Sequence, residues 1–115
     1  MKLIKFSQAE TYEPQPAWKR VSCCNEETIS IEHFTKPPHH ASPLHDHPAA
    51  QVLVVLEGRI AVETDEEGRL EAGPGDTLFI PGGQPHVVTN LNNSPSTGLD
   101  IFVPGRDFDF WLKQK

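Results

Sequence analysis

Residues 43–58 decide the fold, and they read Pro43-Leu44-His45-Asp46-His47-Pro48-Ala49-Ala50-Gln51-Val52-Leu53-Val54-Val55-Leu56-Glu57-Gly58. In a β-strand, residues two positions apart share a face, so His45, His47 and Gln51 are expected to point the same way. Two imidazoles and an amide oxygen on one side of a strand form half of a metal site, because imidazole binds Zn, Cu, Fe and Ni. The alternative is a pair of loop histidines beside an ordinary buried strand. A second group of ligands further along the chain would favour the metal site.

The size and charge of the chain predict one small cytoplasmic domain. Its 115 residues suffice for one hydrophobic core and not for two, so residues 1–115 are expected to form a single domain. A net charge of −6 argues against nucleic acid as a partner, since a phosphate backbone requires a basic face. No apolar run reaches the length of a membrane span. The start of the chain, residues 1–6, is too short and too charged for a signal peptide.

Eight glycines and eleven prolines divide the chain into short segments, which is typical of strands joined by tight turns. Residues 10–17 contain two prolines and are interpreted as a connector, and residues 107–115 are expected to form a short helix. The rest of the pattern predicts an antiparallel β-barrel or sandwich. Besides the opening stretch, strands are predicted at residues 2–6, 18–24, 28–35, 59–64, 69–72, 77–80, 86–91 and 98–104.

Three further histidines have alternative roles. Alternation places Ile29, Ile31 and His33 on one face of the strand at residues 28–35. His33 then either faces the interior or is hydrogen-bonded at the strand end. His39 and His40, in the loop that follows, either supply an additional ligand or are solvated.

The two cysteines, Cys23 and Cys24, are neighbours in the chain. In a strand they point to opposite faces, so neither an unstrained disulfide nor a shared metal follows. They are expected to pack as ordinary side chains, with a reactive thiol as the alternative.

A second histidine motif follows at residues 75–90. Gly75 is followed after five residues by Pro81-Gly82-Gly83, after two more by His86 and after three more by Asn90. With the His45-x-His47, Gln51 and Gly58 spacing of residues 44–58, this pattern resembles the two motifs of the cupins. The resemblance implies a double-stranded β-helix barrel of jelly-roll type. It also implies one divalent metal, Mn, Fe, Co, Ni or Zn, held by His45, His47, Gln51 and His86.

Two positions depart from the usual cupin pattern. His39 stands where the first motif usually begins with glycine, so that turn is expected to be shaped differently. Gln51 replaces the usual glutamate and makes the ligand set neutral. A divalent ion then keeps its full charge, which favours Lewis acidity and an anionic substrate. The amide is also expected to bind metal more weakly than a carboxylate.

A shorter resemblance lies near the C-terminus. His-x-His-Pro-x-x-Gln, together with residues 99–106 (Leu-Asp-Ile-Phe-Val-Pro-Gly-Arg), is similar to small cupins that convert unsaturated uronates to linear keto sugars. In that group the equivalents of Asp100, Phe102 and Arg106 line the site beside the metal. Independently, an aspartate in so apolar a strand costs several kcal/mol if it is buried unpaired. The alternatives are a structural Asp100 at a strand edge and a surface ion pair at Arg106.

These features predict a metal-dependent isomerase of carbohydrate metabolism that acts on a small hydroxylated, carboxylated substrate. Asp100 would move a proton, Phe102 would shape the pocket and Arg106 would hold a carboxylate. Two alternatives remain open. An Fe(II) dioxygenase is compatible with a histidine-rich site that has open positions, and a module that only binds a metal or small ligand is compatible with the size of the barrel.

The outer surface of the metal-bearing strand predicts a homodimer. If Gln51 faces inward, Val52, Val54 and Leu56 face outward, whereas a solvated strand face should carry polar residues. A second subunit related by two-fold symmetry would cover these side chains, with the strand predicted at residues 2–6 packing across the same interface. The aromatic residues Phe108, Phe110 and Trp111 are expected to cap the barrel bottom or to join that contact.

Overall fold

Two antiparallel sheets make up the structure, a computed structural model that describes residues 1–114. Within that range the first sheet has six strands, in the order β1-β2-β3-β9-β4-β7, and the second has three, in the order β6-β5-β8. The strands are β1 (Thr11–Gln15), β2 (Trp18–Asn25), β3 (Ser30–Lys36), β4 (Ala50–Glu57), β5 (Ile60–Thr64), β6 (Gly68–Ala72), β7 (Thr77–Ile80), β8 (Val87–Asn90) and β9 (Ser96–Val103).

The core lies between the two sheets. Phe34, Leu53 and Val55 of the larger sheet pack against Ile60 and Val62 of the smaller one, and all five are buried. Burying a valine or leucine side chain stabilises the fold by about 1.5–3 kcal/mol. This shared core holds the sheets face to face and encloses these inward side chains of β3, β4 and β5. The predicted all-β architecture is confirmed.

Strand β4 alternates as the sequence predicts. Gln51, Leu53 and Val55 face inward, and Gln51 is only 3% exposed. Val52 and Val54, on the outer face, are half-buried. The one difference is that β4 begins at Ala50, so His45 and His47 precede it. An isolated β-bridge between His45 and His86 fixes the position of this segment instead. Its two reciprocal backbone N–H···O bonds are 3.2 and 2.9 Å long.

Three of the predicted elements are wrong. Residues 2–6 form no strand; the first regular element is a 3₁₀ turn at Phe6–Gln8. The connector at residues 10–17 contains β1, which tolerates Pro14 because it is an edge strand. The helix expected at residues 107–115 is, within the described residues, one 3₁₀ turn at Phe110–Leu112; Lys115 lies outside them.

Strand β3 presents its polar face to the interior. Glu32, Phe34 and Lys36 are buried, whereas His33 lies on the outer face and packs edge-on against Phe6 at 5.0 Å between ring centroids. Glu32 can occupy this inward face because Arg20 on β2 and Arg106, which follows β9, supply charged partners, which are described below.

The turns of both histidine motifs use left-handed backbone. Gly58 and Gly75 have φ of 87° and 86°, which glycine adopts without the penalty that a Cβ brings. His39 has φ of 58°, so this histidine takes a conformation that favours glycine. No helix within residues 1–114 is long and apolar enough to cross a membrane; the single domain and the cytoplasmic location stay predictions.

Candidate metal centre

Three histidines from distant parts of the chain converge at the mouth of the barrel. His45 and His86 face each other across their bridge, and His47 lies between that bridge and the start of β4. One ring nitrogen of each lies within 4.8 Å of those of the other two. The structure thus brings together the three histidines that the two motifs singled out.

Each of these rings has its Nδ1 committed to a backbone carbonyl two residues away. The distances are 2.9 Å from His45 to Pro43 O, 2.8 Å from His47 to Ala49 O and 2.7 Å from His86 to Gln84 O. A carbonyl only accepts, so each Nδ1 carries the proton and each Nε2 of a neutral ring carries a lone pair. Metal-binding histidines are held in this way. His86 Nε2 is buried with no hydrogen-bond partner among residues 1–114.

Gln51 brings an oxygen to the same place. Its Nε2 donates to Asp100 Oδ1 at 2.8 Å, which turns the amide oxygen toward His47, 3.0 Å from Nε2. Because His47 Nδ1 donates to Ala49, a neutral ring has no proton for the amide oxygen. Two lone pairs then face each other, and a cation bound beside them would remove the repulsion. The four residues therefore fit a divalent metal with nitrogen and oxygen ligands.

Burial keeps the histidines neutral. It lowers the pKa of His45 to about 3, and the proximity of His86 acts in the same direction. Burial is also the largest cause that lowers the pKa of His47 and of His86. Neutral imidazoles offer the lone pairs that a metal requires.

Asp100 lies inside the barrel beside this cluster. It is 5% exposed, and β9 runs between β3 and β4, so the alternative of a strand-edge position is excluded. Its Oδ1 accepts the bond from Gln51, and its Oδ2 accepts one from Arg20 Nη2 at 2.9 Å. The partner of the buried aspartate is thus Arg20.

A buried network of two arginines and two carboxylates supports the site. Arg20 donates from Nε and Nη2 to Glu32 Oε1 at 3.0 and 2.7 Å, and Arg106 Nη2 lies 3.2 Å from the same oxygen. The Glu32 and Asp100 carboxylates raise the pKa of Arg20 despite its burial. Sequence reasoning missed Arg20 and Glu32. The sequence did contain a signal, because the two residues lie on the two strands of the β2–β3 hairpin. Arg20 is opposite Phe34, which shares the buried face of β3 with Glu32.

Arg106 and the C-terminal aromatics cover the cluster. The Arg106 guanidinium stacks between Phe102 at 3.9 Å and Phe110 at 4.2 Å, and it is 8% exposed, so its ion pair is buried and not on the surface. Trp111 packs on His45, with 4.5 Å between ring centroids. Phe110 and Trp111 thus lie against the histidines and not at the barrel bottom. Phe108 packs on Tyr12.

A small cavity opens between these groups. Its lining includes Trp18, Lys36, His45, Asp100 and Trp111, and its volume of about 20 Å³ has room for about one water molecule. A sugar-sized ligand exceeds this volume, so its binding would require the lining to open. Lys36 was not singled out by the sequence analysis.

The other candidate residues lie outside the cluster. His39 Nε2 contacts Asn93 Oδ1 at 2.6 Å, and His40 contacts Lys36 and Gln15, both at 2.7 Å. Cys23 and Cys24 are free and half-buried, and burial raises the pKa of the Cys23 thiol.

Comparisons with known proteins show the family to which the chain is similar. Residues 32–102 match the family described as Cupin domain. The chain is 33% identical over 85 residues to a probable germin-like protein subfamily 2 member 5 of Arabidopsis thaliana, covering 67% of this chain and 40% of that protein. It spans about two fifths of the length of the curated relatives that it matches, 42% and 40%.

Two solved structures superpose on almost the whole chain. KdgF from Halomonas sp. has a TM-score of 0.82 at 20% identity, covering 92% of this chain and 97% of that one. An RmlC-like cupin from Shewanella frigidimarina NCIMB 400 has a TM-score of 0.83 at 22% identity, covering 96% of both chains. These likenesses confirm the jelly-roll fold.

Proposed function

Because this chain belongs to the cupin family, we propose that it is a metal-dependent isomerase that tautomerises or opens the ring of an unsaturated uronate. The observation that carries the proposal is the Nδ1-anchored trio His45, His47 and His86 beside a buried aspartate. The substrate class rests on the resemblance of residues 99–106 to uronate-converting cupins.

In this proposal His45, His47, Gln51 and His86 hold one divalent ion, which would supply a Lewis acid for substrate oxygens. Three imidazoles and an amide leave the ion its full charge and suit Mn, Fe, Co, Ni or Zn. The carbonyl bonds at Nδ1 keep the three rings oriented before any ion arrives.

Asp100 is the proposed proton carrier. Converting an enol to a ketone moves one proton from oxygen to carbon, and a carboxylate that accepts the hydroxyl proton can return it to carbon without net change. Arg20 and Gln51 hold the two carboxylate oxygens, so the side chain is oriented before substrate enters. Positioning of this kind is what proton transfer between bound groups requires.

Phe102 and Arg106 form one wall of the proposed site. Phe102 is fully buried and packs edge-on against His47 at 5.2 Å. Arg106 Nε is buried without an acceptor among the described residues, while its Nη2 is paired with Glu32. The predicted role of Arg106 as a carboxylate clamp therefore depends on a cation that already has Glu32 as an anionic partner.

We also propose a homodimer formed through the outer face of the larger sheet. Phe79 on β7 lies opposite Val52 and is 67% exposed, and Val103 on β9 is 51% exposed. These side chains extend the apolar surface begun by Val52, Val54 and Leu56. The N-terminal segment would join this contact without forming a strand.

The first experiment is a metal analysis of the purified protein. We expect near-stoichiometric metal in the wild type and almost none in His86→Gln. His33→Gln is the matched control, because His33 lies on the outer face of β3. Metal retained by His86→Gln at the wild-type level would contradict the site.

The second experiment is turnover. Unsaturated uronates are added to protein loaded with each of the five metals, and loss of the ultraviolet absorbance of the conjugated enol is followed. Oxygen consumption with Fe(II) would instead indicate a dioxygenase. Failure of every metal to give turnover would favour a module that only binds a metal or ligand.

A further inference from the structure

Lys36 is a buried cation in the cavity beside the proposed metal centre. It is 2% exposed, and its Nζ lies 4.3 Å above the Trp18 ring and 2.7 Å from His40 Nδ1. His40 Nε2 donates to Gln15 Oε1 at 2.7 Å, so His40 Nδ1 accepts one proton of Lys36. The ammonium has further protons to donate.

The charge of Lys36 lacks a carboxylate. Arg20 is paired with Glu32 and Asp100, and Arg106 is paired with Glu32. Among residues 1–114, no carboxylate lies within ion-pairing distance of Lys36 Nζ. Burial, reinforced by the charge of Arg20, lowers the pKa of Lys36 to about 7. A buried charge without a partner is strongly unfavourable, so this position favours an anion.

Three residues that line the same cavity carry hydrogen-bond donors without an acceptor. The indole Nε1 of Trp18, the indole Nε1 of Trp111 and Nε of Arg106 are buried with no acceptor within the described part of the chain, and all three residues line the cavity. Native proteins leave few buried donors unpaired. A ligand that only accepts hydrogen bonds would satisfy them, and a carboxylate is such a group.

We propose that Lys36, with the indole N–H of Trp18, binds the carboxylate of the substrate, so that Lys36 and not Arg106 selects acidic over neutral sugars. The proposal rests on the proposed function and adds to it the residue that reads the acidic group. The Trp18 side chain contributes in two ways in this proposal. The face of its ring lies beneath the ammonium of Lys36, and its N–H donates a second hydrogen bond to the carboxylate.

The test compares binding of D-galacturonate with that of its neutral counterpart D-galactose, by titration calorimetry on the metal-loaded protein. We expect the wild type to prefer galacturonate and Lys36→Met to lose about tenfold to a hundredfold in galacturonate affinity, the range for a lost hydrogen bond to a charged group. Galactose affinity should not change. Lys19→Met, which removes an exposed lysine from β2, should bind both sugars as the wild type does.

A second variant guards against loss of folding in Lys36→Met. Trp18→Phe keeps an aromatic ring beneath the ammonium but removes the five-membered ring that carries the indole N–H, and it should weaken the binding of galacturonate and not that of galactose. The proposal is overturned if Lys36→Met keeps the preference for galacturonate, or if the wild type binds no galacturonate at millimolar concentration.

The outcomes separate this inference from the proposed reaction. Lys36-dependent binding without turnover of any unsaturated uronate would remove the isomerase and keep the carboxylate site. Turnover with a KM unchanged in Lys36→Met would keep the isomerase and remove the carboxylate site.

Discussion

The amide of Gln51 donates a 2.8 Å hydrogen bond to Asp100 Oδ1. The residue that departs from the usual cupin ligand is thus hydrogen-bonded to the proposed proton carrier. A glutamate at position 51 would face Asp100 with a second carboxylate, and two carboxylates at that separation repel each other. The amide at 51 and the carboxylate at 100 therefore form a matched pair.

Gln51→Glu is expected to bind metal more tightly and to turn over an anionic substrate more slowly. A carboxylate is a stronger ligand than an amide, and its charge reduces the attraction of the centre for an anion. Metal titration and steady-state kinetics measure the two effects. Turnover equal to or above that of the wild type would contradict the proposal that the neutral ligand set attracts an anionic substrate.

The same variant should lower the stability of the metal-free protein. The double variant Gln51→Glu/Asp100→Asn relieves the repulsion, so it should be more stable than the sum of the two single effects predicts. Chemical denaturation of the wild type, both single variants and the double variant should show a coupling energy of about 0.5–3 kcal/mol in magnitude. Additive effects would mean that the Gln51–Asp100 bond has no energetic role.

Asp100→Asn is expected to abolish turnover while leaving the metal content unchanged, because it removes a proton carrier and not a ligand. General acid–base groups contribute about 10²–10⁴-fold in rate. Glu32→Gln is the matched control, since it removes the other carboxylate paired with Arg20. A rate loss below about tenfold in Asp100→Asn, or an equal loss in both variants, would assign Asp100 a structural role.

Stability should rise with pH through Lys36. Its pKa is about 7 in the folded chain and near the ordinary value of about 10.4 when unfolded. Between these values the unfolded chain holds the extra proton, so the free energy of unfolding gains up to about 1.4 kcal/mol per pH unit from this group. Below pH 7 Lys36 is protonated in both the folded and the unfolded chain, so the destabilisation caused by its buried charge is fully present.

Urea denaturation of the wild type and of Lys36→Met over this pH window provides the measurement. The stability of the wild type relative to the variant should increase with pH. A stability difference that does not depend on pH would show that folding does not lower the pKa of Lys36.

Val54→Lys should split the proposed dimer, because it places a charge in the centre of the apolar outer face of β4. Leu70→Lys is the matched control: Leu70 is 47% exposed on β6, in the other sheet. Light scattering at micromolar concentration should show monomers for Val54→Lys and dimers for Leu70→Lys. A monomeric wild type would overturn the assembly.

Local pattern was enough to predict much of this protein. Alternation along β4 predicts that Gln51 and Leu53 share the inward face, because adjacent residues of a strand must point to opposite faces. The resemblance of the two motifs to those of the cupins implies that His86 meets His45 and His47. The apolar residues around Asp100 also indicate a buried strand, in which the aspartate requires a partner.

The tertiary structure alone decided how the charges inside the barrel are partnered. Arg20 and Asp100 are 80 residues apart in sequence, and Arg106 and Glu32 are 74 apart. Which face of β3 is buried depends on β2 and β9 beside it, and alternation has two equivalent solutions until those strands are in place. Residues 29–36 alone, with Ile29 and Ile31 on one face and Glu32 and Lys36 on the other, favour the wrong solution. The polar face lies inside because Arg20 from β2 and Arg106, which follows β9, neutralise Glu32, and that compensation exists only in three dimensions.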